Sequence, residues 1–123
     1  MGEDEARVVV VVVDDVADIA EALAYALEQD GYRVWTARDG LQALALIEEH
    51  EPHCVIFDIN MPSLDGSELS KLLRERHGDD LVLIAITGWS ETDSRVAEAF
   101  ARVDHYLKKP IDPVVLRKVL PPL

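Results

Sequence analysis

Three apolar stretches of this chain and one short, more polar one each run into a group that can do chemistry. Val8–Val13, six consecutive valines, leads into Asp14-Asp15. Cys54–Phe57 leads into Asp58, followed by Asn60 and the chain-turning pair Met61-Pro62. Leu81–Thr87 ends in a hydroxyl, and His105–Lys109 ends in an ammonium. Carboxylates brought close together repel, so a site built from Asp14, Asp15 and Asp58 is costly without a cation. Hard oxygen ligands suit Mg²⁺, which keeps several waters when the protein supplies only two or three oxygens. That leaves room for a phosphoryl oxygen, with Lys109 pairing to it and Thr87 donating a hydrogen bond. Asp58 is then placed to act as a nucleophile towards phosphorus and form an aspartyl phosphate. Taken singly, each residue has a plainer explanation. The aspartates could cap turns, Thr87 could be a β-branched strand end, and Lys109 could be surface charge. Their arrival at one place is the signal.

That arrival depends on the elements that carry them. The valine run is a buried strand. After it Val16, Ile19, Ala20, Leu23, Ala24 and Leu27 recur at helical spacing, and Gly31 closes the helix at C′. Tyr32–Ala37 is a second strand. Asp39 caps a helix with Leu41, Leu44 and Ile47 inward, ending before Pro52. Cys54–Asp58 is the third strand, and about Asp65 to His77 is a helix on Leu69, Leu72 and Leu73, closed by Gly78. Leu81–Thr87 is the fourth strand. Ser90 and Asp93 form a capping box for a helix on Val96, Ala97 and Phe100. After the fifth strand, Asp112-Pro113 is an N-cap and N1 pair for a last, short helix on Leu116, Val119 and Leu120, which Pro121-Pro122 stops. Strands alternating with helices imply right-handed βαβ crossovers and a parallel sheet covered on both faces. In such a sheet every strand's carboxyl end lies on one edge, where open α/β sheets hold their sites. The wholly apolar strands one, three and four belong in the centre, with the more polar two and five at the edges.

Composition narrows the function classes. At 123 residues the chain is the size of one domain, residues 1–123 with a core over about 7–120. It buries roughly 65% of its unfolded surface without staples. Its one cysteine, Cys54, excludes an internal disulfide and fits a reducing, cytoplasmic setting. No apolar run approaches a membrane span, so no membrane insertion is expected. A net charge of −12 repels nucleic-acid phosphate, so no direct nucleic-acid binding is expected.

These residues, in this order, resemble the response-regulator receiver domains of two-component signalling, nearly end to end. Asp14-Asp15 matches the family's acid pair and Asp58 its phosphoacceptor. Asn60 matches the residue whose backbone carbonyl completes the Mg²⁺ shell. Met61-Pro62 and Asp65-Gly66 match the loop that follows, Thr87-Gly88 the hydroxyl residue and its small neighbour, and Tyr106 the switch aromatic. Lys109-Pro110 matches the lysine that precedes a cis proline. Thr87-Gly88-Trp89 with Asp104-His105-Tyr106-Leu107 is similar to receivers attached to hybrid histidine kinases.

The resemblance implies a flavodoxin-like (βα)5 fold with strand order 2-1-3-4-5. It implies a phosphorelay switch rather than an enzyme, one that catalyses only its own phosphorylation and slow autodephosphorylation. It implies Mg²⁺ as cofactor and a histidine kinase or histidine phosphotransferase as partner. Phosphorylation would reshape the face of helix four, strand five and helix five, with a homodimer as one outcome. Thr87 would move towards the phosphate, Tyr106 would turn inward, and Asn60 and Trp89 would flank the path of hydrolytic water.

The chain departs from the family in two places. Val16 follows the acid pair where an acidic residue is common. Arg102-Val103 stands where a Gly-Ala turn is frequent, which strains the turn by about 1 kcal/mol if Arg102 takes a positive φ. An aspartate-nucleophile hydrolase is the rival activity, but position 60 is an asparagine where such enzymes place a second acid. A degenerate receiver would have lost one of the site residues, and none is lost. The four histidines show no ligand spacing and are expected at the surface or in turns; Cys54 is expected to be buried and inert.

Overall fold

The computed structural model describes residues 8–59, 61, 66–88, 97, 99 and 101–123. The elements are β1 (Val9–Val13), α1 (Ala17–Gln29), β2 (Arg33–Ala37), α2 (Gly40–His50), β3 (Cys54–Asp58), α3 (Gly66–His77), a single 3₁₀ turn (Gly78–Asp80), β4 (Val82–Thr87), β5 (His105–Lys108) and α4 (Pro113–Val119). Ala97 and Ala99 are helical. The rest of the helix predicted there, with its Ser90–Asp93 capping box, lies outside the described residues, so α4 is the last of the predicted helices. The five strands form one parallel sheet in the order β2-β1-β3-β4-β5. This is the flavodoxin-like α/β arrangement.

The central strands are apolar on both sides because both sides are covered. Val11, Val13, Val55, Phe57, Leu83 and Ala85 face one layer, where Ala43 and Ile47 of α2 and Leu69 and Leu73 of α3 meet them. Val10, Val12, Cys54, Ile56, Ile84 and Ile86 face the other, against Ala20 and Leu27 of α1 and Leu116 and Leu120 of α4. The period of two along each strand divides one hydrophobic run between two cores.

Local signals explain most of the boundaries. The Asp39 side chain accepts from the Gln42 amide, and Asp112 accepts from Val114 with Pro113 in the first turn. Gly31 and Gly78 take the positive φ that ends α1 and α3. At α2 the left-handed residue is Glu51, with φ 47°, and Pro52 after it cannot continue the helix. Glu51 is the one non-glycine among the described residues with positive φ, so the strain anticipated for Arg102 does not arise.

Three apolar positions expected inward face solvent instead: Val16, Ile19 and Leu41, the last 62% exposed. Val16 precedes α1, and that helix lies on the sheet through the small Ala20 and Ala24, which turns Ile19 off the buried stripe. In α2 the small Gly40 and Ala43 make the close approach, which rotates Leu41 outward.

Two histidines do more than occupy the surface. His53 Nδ1 accepts from the Val9 amide at 3.0 Å and so closes the first rung between β1 and β3. His50 stacks on Trp35 at 3.8 Å between ring centroids.

The tightest steric constraint lies at the start of α3. A Cβ on Gly66 would stand 2.5 Å from Ile59 Cα and 2.9 Å from the Asp58 carbonyl oxygen. These are backbone atoms, so relief requires moving the helix or the strand end. Gly66→Ala should therefore destabilise the fold by about 1–3 kcal/mol, measured as a fall in denaturant midpoint. A midpoint equal to wild type would show that the helix start yields freely.

Candidate functional site

The carboxyl edge of the sheet gathers the polar residues. β1 ends at Val13, so Asp14 and Asp15 stand just beyond it; Asp58 is the last residue of β3, Thr87 the last of β4, and Lys109 follows β5. Asp14 and Asp58 are buried carboxylates, Thr87 is fully buried, and Asp15 is exposed. One oxygen from each of Asp14, Asp15 and Asp58 lies within 4.8 Å of the others. Lys109 Nζ reaches across to Asp58 Oδ2 at 2.6 Å and stands 4.0 Å from Asp14 Oδ2.

Each group is aimed by backbone. Asp14 donates its amide to the Ala37 carbonyl, while its Oδ1 accepts from the Val16 amide. Ile59 donates to Ile86, holding the end of β3 against β4. The Lys109 amide donates to the Thr87 carbonyl, which ties the lysine to the hydroxyl-bearing strand. The Lys109–Pro110 bond is cis. A Cβ on Gly88 would meet only Lys109 Cδ, at an ordinary 3.9 Å.

The electrostatics follow from burial and pairing. Burial pushes the Asp14 carboxyl above its usual value, outweighing the Val16 amide and the Lys109 charge that pull it down. A carboxyl raised in the fold favours folding while protonated, and that contribution is lost as pH climbs through its folded value. Burial works to lower Lys109, but the hydrogen bond and charge of Asp58, with help from Asp14, hold the ammonium above its usual value. This edge therefore gathers carboxylates at a cost, which among the described residues the Lys109 ammonium offsets. Its three hard oxygens, two of them sheltered, could hold a small divalent cation.

The structure brings together Asp14, Asp15, Asp58, Thr87 and Lys109 as the sequence led one to expect. Asn60 and Trp89 lie outside the described residues, as do Pro62 and Asp65. Tyr106 lies on β5 opposite Ala85, two strands from β3, with 45% of its surface exposed. Sequence reading marked Arg102 only as a departure in the turn before β5 and did not single out Arg74. Arg74 Nε donates to the Arg102 carbonyl, and Arg102 reaches the first turn of α3. An arginine in the turn before β5, where the family often has glycine, was the one available signal.

Comparison with known proteins places this geometry. A family model described as "Response regulator receiver domain" matches residues 10–121. The response regulator MprA of Mycobacterium sp. (strain KMS) is 42% identical over 101 residues, which is 82% of this chain and 44% of that protein. MprA of Mycobacterium avium (strain 104) is 40% identical over the same length. The chain thus spans less than half the length of these curated relatives. Among solved structures, the Vibrio cholerae chemotaxis protein CheY4 superposes with a TM-score of 0.82 at 30% identity, covering 94% of this chain and all of that one. Thermotoga maritima TrrA, solved in complex with Mg²⁺-BeF, superposes with a TM-score of 0.76 at 28% identity, covering 92% of this chain and 99% of that one.

The Lys109 pair can be tested directly in metal-free buffer. Lys109→Met leaves Asp58 and Asp14 facing each other without their ammonium. A fully buried pair broken this way costs about 3–5 kcal/mol, but the Lys109 side chain is 34% exposed, so about 1–2 kcal/mol is expected. Adding Asp58→Asn should recover much of that loss in a double-mutant cycle. Simple additivity would mean the pair is not coupled.

Proposed function

The chain belongs to the response-regulator receiver domain family, a family of signalling domains in two-component systems, and on that premise we propose that it is a phosphoacceptor switch charged at Asp58. The observation that carries this reading is the convergence of Asp58, 2.6 Å from Lys109, with Asp14 and Asp15 on one edge of the sheet. A carboxylate oxygen of Asp58 attacks the phosphorus of a phosphohistidine. The new O–P bond forms as the P–N bond breaks, and the electron pair stays on the imidazole nitrogen, which then takes up a proton. Lys109 offers its ammonium to the phosphoryl oxygens, and the buried Thr87 hydroxyl lies one strand away. Asp14, Asp15, Asp58 and the backbone carbonyl of Asn60 would hold Mg²⁺, which neutralises phosphoryl charge when bound.

The donor is a histidine kinase or histidine phosphotransferase. It needs a surface beside Asp58 that admits a histidine-bearing element, and a groove of about 710 Å³ lies there. Ile19, Leu23 and Ala26 of α1 line it, with Lys109, Pro110 and Ile111 on the other side. The outward turn of Ile19 is in keeping with this reading, since a docking helix would cover it. Among the described residues no helix is long and apolar enough to cross a membrane. The cytoplasm, where such donors present their phosphohistidines, is the proposed location.

Phosphorylation adds about −1.5 to −2 charges and strong acceptor oxygens at Asp58. Thr87 moves towards them, and Tyr106, resting exposed, turns inward. The face around β5 and α4 is the output surface, or a dimer surface once charged. The switch is two-state, so phosphate must stabilise one arrangement more than the other.

Two experiments test the reading. Labelling with acetyl phosphate in the presence of Mg²⁺ should be lost in Asp58→Asn; labelling at the wild-type level in that variant would remove Asp58 from the role. In a thermal melt, Mg²⁺ at a hundredfold excess over its Kd should stabilise the fold by about 2.7 kcal/mol. Asp15→Asn, at the exposed carboxylate, should raise metal-free stability and blunt the response to Mg²⁺. A melt that ignores millimolar Mg²⁺ would count against the cation site.

A further inference from the structure

The turn before β5 is fastened from two sides. Arg74, near the end of α3, uses all three nitrogens of its guanidinium. Nε donates to the Arg102 carbonyl at 2.6 Å, Nη1 donates to the Gly78 and Leu81 carbonyls at 2.8 Å each, and Nη2 donates to Asp104 Oδ2 at 2.8 Å. That same Asp104 oxygen accepts from the Leu83 amide at 2.8 Å, while the Asp104 amide donates back to the Leu83 carbonyl. Burial works to raise the Asp104 carboxyl, but the Leu83 amide and the Arg74 guanidinium outweigh it and hold it below its usual value. From the other end, Arg102 Nη1 reaches the Ser67 carbonyl at 3.3 Å and the Ser67 hydroxyl at 3.5 Å.

Ser67 is the second residue of α3. Its neighbour Gly66 donates its amide to Ile59 and packs directly on the Asp58 carbonyl. At the far end, Asp104 is two residues from Tyr106. A continuous series of contacts therefore runs from the backbone of Asp58, through the first turn of α3, Arg102, Arg74 and Asp104, to the start of β5. It passes along the α3 side of the sheet and does not involve Thr87.

We propose that Arg102, braced by Arg74 and Asp104, is a positioning residue that sets the resting bias of the switch by holding the turn at 101–104 against the first turn of α3 while Tyr106 is outward. This inference rests on Asp58 being the phosphoacceptor. Charge added at Asp58 pushes on the α3 start and on β4 together, and the guanidinium contacts resist relative movement of the two. A side chain that favours one arrangement raises the ligand needed to reach the other.

The test uses beryllofluoride with Mg²⁺ fixed in excess, read by half-saturation and by the Tyr106 ring signals in NMR. Wild type, Arg102→Ala and Arg102→Lys are compared, with a thermal melt on each to check folding. Arg102→Ala should lower the half-saturating beryllofluoride about threefold to tenfold and shift the ligand-free Tyr106 signals towards their bound positions. Arg102→Lys, which keeps a donor, should fall between Arg102→Ala and wild type. If Arg102→Ala does not fold, Arg102→Gln is read in its place, with the same expectation. A wild type that responds normally, beside a variant whose half-saturation and Tyr106 signals match it, overturns the clamp and leaves the phosphoacceptor reading standing. A wild type that shows no response to beryllofluoride overturns both.

Discussion

Two buried carboxylates, Asp14 and Asp58, stand at the ends of adjacent strands with Lys109 as their nearest cation among the described residues. Neither would be tolerable there in isolation, because ionised carboxylates taken from water need compensation. Much of the local architecture answers that constraint. The Val16 amide meets one oxygen of Asp14, and Lys109 is held in reach by the hydrogen bond from its amide to the Thr87 carbonyl. Gly66 lets a helix begin against the Asp58 carbonyl. Burial still holds the Asp14 carboxyl above its usual value. An edge that gathers carboxylates at this cost is one that a bound cation would relieve.

Much of this was legible in the residues because the physics involved is local. A six-valine run ending in two aspartates can hardly be anything but a buried strand with a polar terminus, and proline or glycine marked most helix ends. The parallel sheet and the grouping of Asp14, Asp15, Asp58, Thr87 and Lys109 followed from the alternation of strand and helix, and the strand order from the family resemblance. What failed was the facing of particular side chains. Ile19 and Leu41 fit an apolar stripe by spacing, but alanine and glycine neighbours decided which side of each helix comes closest to the sheet. Periodicity weighs residues by hydrophobicity, whereas packing also rewards smallness.

The arginine clamp was illegible for a different reason. Arg74 and Asp104 lie thirty residues apart, and beyond their own pairing Arg74 donates to backbone carbonyls and Asp104 accepts from a backbone amide, groups that every sequence possesses. No pattern of residue types announces such a bond. The same holds for His53, whose imidazole caps the Val9 amide across forty-four positions. These long-range side-chain-to-backbone bonds are where this chain differs from what its fold class alone would specify.

That His53 contact has a consequence for the strand beside it. A tract of identical valines carries no information about its own alignment: slid by one position, it presents the same surface to both layers. The valine backbone is alike at every position, so the His53 contact holds the strand without choosing its register; that choice falls to the end of the tract, where the Asp14 carboxylate accepts from the Val16 amide and faces Lys109. The strand therefore behaves as a ruler rather than a code. Its length sets how far Asp14 and Asp15 project past the sheet, and a single inserted or deleted valine would leave the core composition untouched while moving the acid pair by about 3.3 Å.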